Sequence, residues 1–295
     1  MPPSLSGADR PMSQQIPAWR KMRGSDVPEV RALLRANEHL CLNAYDRLIN
    51  RRESNSRAWV LRDGGEDLAA LVYAGKGLLP VLGGRRGMIP PPLFLRGIFR
   101  VLPVRSLQGI ESDMLLIENQ MEGMGFYADE KIRFDLMGLD RLPHAGPTGP
   151  EGLVIRRAKY ADMDALVTMQ AAYEVEEVLP AGKKLNMAFS RMNAEKIFVH
   201  ERLLVAELDG DLVGKVNTTA SSSTRCQIGG VYIRPDYRGL GIASRLTAEF
   251  SAELIRAGMG ISLFVKKHNI AARKAYLKVG FAILGNYRIN YYGGD

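Results

Sequence analysis

The stretch RPDYRGLGIASR, residues 234–245, constrains this chain more than any other. It sets the end of an apolar strand against the mouth of a helix and crowds Arg238, Gly239, Gly241 and Ala243 into six residues. A chain that turns through such a loop into a helix leaves several backbone N–H groups without intrahelical partners. Glycines let that backbone approach a ligand, and the helix dipole favours negative charge there, so the natural occupant is a phosphate or pyrophosphate. The plain alternative is a glycine-rich turn that only starts a helix. No GKS or GKT of a nucleotide triphosphatase is present, and the preceding turn lacks the Gly-x-Gly-x-x-Gly of a dinucleotide fold.

The rest of the chain narrows the class of protein. Its 295 residues are long for one core and comfortable for two. A Pro- and Gly-rich linker at 142–152 divides an N-terminal α/β domain, 18–141, from a second domain, 153–295, behind a disordered lead at 1–17. No apolar run reaches the roughly 18 residues of a membrane helix, and the lead lacks the apolar centre of a signal peptide, so a cytoplasmic protein is expected. Cys41 and Cys226 lie far apart and make neither a disulfide framework nor a zinc-ligand pair. The net charge of +8 favours an anionic partner. Nucleic acid is disfavoured, because no zinc-finger spacing or aromatic-interleaved basic stretch occurs.

Periodicity places helices after Asp26 and on to Leu48, strands at 58–61, 68–73, 78–82, 104–107 and 132–137, and a helix near Phe94. Beyond the linker it predicts a strand at 153–157, a helix from Asp162 to Pro180 and another over 186–200. A hairpin at 203–218 and a strand at 226–233 follow. The quoted loop then opens a helix over 241–257, followed by a strand at 261–265, a helix over 269–279 and two last strands within 281–292. The fold class is α/β (α+β).

Three ordered stretches carry a resemblance: GGVYIRP followed by RGLGIA, the strand LFVKKHN, and NIAARKAYLKVGF. Over 153–292 the chain resembles the GNAT superfamily of acyl-CoA-dependent N-acyltransferases. The resemblance implies a mixed, largely antiparallel sheet flanked by helices, acetyl-CoA as cosubstrate, no metal, and a primary amine as acceptor. It implies that Val231, Tyr232 and Ile233 sit on a splayed strand whose backbone holds the pantetheine, with the Val231 N–H as oxyanion donor. The amides of Arg238, Gly239, Leu240, Gly241, Ile242, Ala243 and Ser244 would hold the pyrophosphate and Asn269 the pantetheine, and Tyr276 would protonate the leaving thiolate. Read from the residues alone, Asn269 is equally an N-cap and Tyr276 equally a helix-face packing residue. Cys226 reads as a small buried strand residue.

The general base is left open. Some members of the superfamily place a Glu where this chain has Gln227, which accepts no proton at neutral pH. In AAYEVEEVLP, a continuous helix puts Glu177 near the centre of the face shared by Met163, Leu166, Met169, Gln170 and Tyr173, so Glu177 is the candidate, with water as the alternative. The N-terminal half has the order of a second, degenerate copy but no glycine-rich loop between strand and helix. It is expected to shape the acceptor site, and a fragment over 151–295 is expected to keep the cofactor site. A non-catalytic acyl-CoA sensor is the rival reading.

Overall fold

The computed structural model describes residues 18–50, 55–63, 67–143, 146–179 and 184–293; the expected disordered lead lies outside them. Twelve strands form one sheet in the order β1-β2-β3-β4-β5-β12-β6-β11-β10-β9-β8-β7. The N-terminal half supplies β1 (Arg20–Lys21), β2 (Arg57–Asp63), β3 (Asp67–Ala74), β4 (Gly77–Val81), β5 (Ser106–Ile110) and β6 (Glu130–Leu139). From the C-terminal half come β7 (Val154–Arg157), β8 (Leu203–Leu208), β9 (Asp211–Ser221), β10 (Arg225–Ile233), β11 (Gly260–Lys266) and β12 (Ala282–Tyr291). Every neighbouring pair is antiparallel except β4–β5 and β10–β11. The expected mixed, largely antiparallel sheet is what forms.

Adding six to each strand label turns this order into its own reverse, so the halves repeat one topology about the β12–β6 pair. Local chemistry repeats as well. Arg20 donates to both carboxylate oxygens of Asp26, each at 2.7 Å, and the Arg23 amide donates to Asp26 Oδ2. One repeat later, Arg156 grips Asp162 at 2.8 and 3.0 Å while the Lys159 amide caps the same carboxylate.

Helices cover both faces. On one side lie α1 (Val27–Ala36) with α2 (Glu38–Ile49), and α5 (Met163–Tyr173) with α6 (Met187–His200). On the other lie α3 (Pro92–Val101) with α4 (Glu111–Gly123), and α7 (Ile242–Arg256) with α8 (Ile270–Val279). The period of two in the strands sorts the core. Val60, Ala70 and Val72 pack under α1 and α2, while Leu61, Leu71 and Tyr73 pack under α3 and α4.

Four expectations change. The two final strands are one, because Gly285 sits at a bulge in the pairing with β6 instead of a turn. Helix α4 was not foreseen. The helix from Asp162 toward Pro180 is α-helical only to Tyr173 and then widens to a π-turn over Glu174–Val178, which shifts the phase of its glutamates. Finally, β6 lies between β11 and β12 and pairs with both, so a 151–295 fragment would lose the strand that joins its own last two.

Candidate active site

The parallel pair β10–β11 is bonded only from Arg225↔Gly260 to Ile228↔Leu263, and beyond that the strands diverge. On its other edge β10 bulges between Gly229 and Tyr232, where Gly230 adopts a φ of +59°. Two cavities open into the gap. One, of about 540 Å³, runs past Val231, Tyr232 and Ile233 to the loop glycines and the start of α7. The other, of about 270 Å³, lies on the sheet face toward α5. They share Glu177, Val231, Asn269, Ala272 and Tyr276. A ligand threaded through the gap therefore passes Val231 and Tyr276 at the junction.

The loop presents a row of open amides. Gly239 and Gly241 hold φ of +83° and +82°, a region open to glycine. Among the described residues the amides of Gly239, Leu240, Gly241, Ile242, Ala243 and Ser244 meet no protein acceptor, while that of Arg238 is already given to Pro235 O at 3.2 Å. The Arg238 side chain is also engaged, donating to Ile233 O and to both oxygens of Glu176 at 3.0 and 2.9 Å. Lys274 and Lys278, one turn apart on α8, line the same cavity. The sequence reading passed over both, although their spacing of four is a helical one-face signal.

Asn269 takes up its N-cap reading. Its Oδ1 caps α8 by accepting from the Ala272 amide at 3.0 Å, and its Nδ2 donates to Glu177 Oε1 at 2.9 Å. Glu177 faces the junction and is also paired with Lys266 at 3.4 Å. The π-turn sends its neighbours elsewhere. Glu174, not Glu177, is the buried carboxylate, held by Gln170, Ser190 and Asn193.

Tyr276 is 8% exposed, in T-shaped contact with Phe281, and burial pushes its phenol above the ordinary range. Tyr173 and Tyr287 are pushed up to about 12, again chiefly by burial. Each of these phenols ionises near 10 in the unfolded chain but not in the folded one. Stability is therefore complete below pH 10 and drains as pH rises toward 12. Thermal melts across that window should show a falling Tm that Tyr287→Phe makes shallower; a level profile would contradict the burial.

Lys215 was missed entirely. It is 2% exposed on β9, and burial lowers its pKa to about 7. Its Nζ donates to Gly230 O at 3.1 Å and Asn217 Oδ1 at 3.2 Å and lies 5.2 Å from the centre of the Tyr173 ring.

The N-terminal half has a matching gap. Only Gly77↔Ser106 and Leu78↔Leu107 pair β4 with β5, and a cavity of about 310 Å³ opens beyond them. Its loop amides are occupied from within the protein. Asp113, on the first turn of α4 and 1% exposed, accepts from the amides of Leu82, Gly83 and Gly84 at 2.7, 3.3 and 2.6 Å. A carboxylate from α4 thus holds three amides of this loop. Among the described residues no cluster of His, Cys, Asp and Glu could hold a metal, and no helix is long and apolar enough to cross a membrane.

Open amides near a helix start thus lie beside a splayed strand pair with a buried phenol at its opening. More particularly, the sequence model described as the Acetyltransferase (GNAT) family matches residues 169–281. Solved structures share the whole architecture. A GCN5-related N-acetyltransferase from Sphaerobacter thermophilus superposes with a TM-score of 0.60 at 20% identity, over 95% of this chain and 98% of that one. A GNAT-family acetyltransferase from Colwellia psychrerythraea gives 0.55 at 12%, over 94% and 99%. A tandem GNAT protein from the clavulanic acid biosynthesis pathway gives 0.59 at 14%, over 95% and 99%, and fits the two-copy arrangement seen here. Among curated proteins none matches.

Proposed function

We propose that the C-terminal half transfers an acetyl group from acetyl-CoA to a primary amine. The observation that carries this reading is the meeting of two cavities at Val231 and Tyr276 inside the β10–β11 gap, with unpartnered amides at the far end of one of them. The pyrophosphate lies on the amides of Gly239 to Ser244, with Lys274 and Lys278 nearby, and the pantetheine runs along Val231, Tyr232 and Ile233. The amine nitrogen attacks the thioester carbon and forms the C–N bond. Charge then developing on the carbonyl oxygen is met by the Val231 N–H. As the C–S bond breaks, Tyr276 gives its proton to sulfur, and the proton lost by the amine passes to Glu177 or to water. A phenol held protonated by burial suits the acid role. Glu177 must first give up Asn269 or Lys266 to act as base.

The N-terminal half serves the acceptor side, since Ile132 and Phe134 of β6 line the second cavity. Division of the chain at 142–152 remains the reading for the two copies, and the protein is proposed to work in the cytoplasm. Incubating the full chain with acetyl-CoA and an amine panel while following free thiol tests this. Amine-dependent thiol release is expected; acetyl-CoA binding with no release for any amine would favour a sensor.

A further inference from the structure

The floor of the second cavity is unusual for the middle of a sheet. Ile132 and Phe134 on β6, Phe264 on β11, and Ile289 and Tyr291 on β12 stay partly exposed on one face of three adjacent strands. The rings are fixed: Phe264 meets Phe134 edge-on at 6.3 Å and lies against Tyr287 at 4.1 Å. Such a patch at the centre of a fold leaves apolar area for a ligand to cover. At the reacting end Gln227, 8% exposed, donates its Nε2 to Thr219 at 2.9 Å, while its buried Oε1 has no partner. That carbonyl lacks an N–H. The charged groups lining the cavity, Glu177 and Lys266, are paired with each other and leave nothing to hold a polycation.

Resting on the acyl-transfer reading, we propose that the acceptor is a primary amine on a flat aromatic body, stacked on Phe134 and Phe264, with its nitrogen donating to Gln227 Oε1. The lone pair then faces the thioester at Val231 and Tyr276. The test uses the full chain, acetyl-CoA, and three probes: 2-phenylethylamine, spermidine and a lysine-containing peptide. The aromatic amine should exceed both others in kcat/KM by at least tenfold. Phe134→Ala and Gln227→Met should each raise its KM several-fold with the KM for acetyl-CoA unchanged. Spermidine or peptide preferred, no turnover of the aromatic amine by a chain that binds acetyl-CoA, or an unchanged KM in both variants would overturn the acceptor class alone. Failure to bind acetyl-CoA would overturn the reading beneath it.

A different observation bears on the oxyanion donor. At the bulge Gly230 and Val231 have no ladder partners on β9, and the Gly230 carbonyl is taken instead by Lys215 Nζ while the Gly230 amide meets the Tyr173 hydroxyl. No peptide bond of the described chain is cis. In a trans peptide C=O and N–H point opposite ways, so a carbonyl drawn toward β9 turns the Val231 N–H toward the β11 gap. Gly230 is required here, because an added Cβ would lie 2.1 Å from Asn217 Oδ1 and 2.9 Å from Lys215 Nζ. We infer that Lys215 is a positioning residue that sets the Val231 N–H for the thioester oxygen.

Lys215→Met removes the donor at similar length. It should lower kcat at least tenfold with the KM for acetyl-CoA within about twofold. Infrared difference spectra of isotope-labelled thioester carbonyl should show the bound-state red shift of the wild type reduced in the variant. If the shift and kcat are both retained, the inference fails. Should the variant unfold, Lys215→Gln, whose shorter amide ends short of the Gly230 carbonyl, is read instead: a reduced red shift is expected, and an undiminished one there would overturn the role of Lys215. A wild-type chain that binds acetyl-CoA with no red shift overturns the Val231 contact itself.

Discussion

Tyr276→Phe is expected to lower turnover by roughly a hundredfold or more while acetyl-CoA binds nearly as before. The phenol sits where both cavities meet, and its only polar atom is the one lost. Its burial keeps the proton on oxygen through neutral pH, which a donor to a departing thiolate needs. The ring contact with Phe281 survives in phenylalanine, so the fold should be unaffected. Comparing kcat with KM separates this from a packing role: a variant with unaltered kcat would remove Tyr276 from the chemistry, and one with raised KM alone would make it a binding residue.

Ala243→Glu should abolish acetyl-CoA binding and leave the melting temperature at or above that of the wild type. Ala243 lies in the first turn of α7 and lines the larger cavity. A carboxylate there favours the helix dipole by about 0.3–1 kcal/mol, so the helix gains where the ligand loses. The charge and bulk occupy the place proposed for pyrophosphate. In the other half a carboxylate already takes three loop amides, though it comes from a different helix, as Asp113 of α4. Circular dichroism and calorimetry on one sample would read both effects, and binding within a few-fold of wild type would move the phosphates elsewhere.

What could be read from the sequence was local. The glycines at 239 and 241 declare themselves because a positive φ leaves few alternatives, and Asn269 announces a helix start. Helix α4 gave no such notice: Ile110 stands at its N-cap position and offers no capping side chain. The π-turn was invisible because 100° per residue is the assumption that places Glu177, and one wide turn breaks it. Lys215 reads as an ordinary strand residue until α5 is laid over it, and only long-range packing does that. The exchange of β6 into the far half is likewise a property of topology. One signal was present and passed over. RKMRGSD and RRAKYAD share an Arg and an Asp six apart with two basic residues between them, and the structure gives both the same bidentate grip.

Calorimetric titration of the full chain with acetyl-CoA tests the assignment of the cofactor site most directly. One site per chain is expected, absent in Ala243→Glu, because the amides of the C-terminal loop are open while those of the N-terminal loop are held by Asp113. No binding at all, or two sites of which one survives in Ala243→Glu, would contradict it.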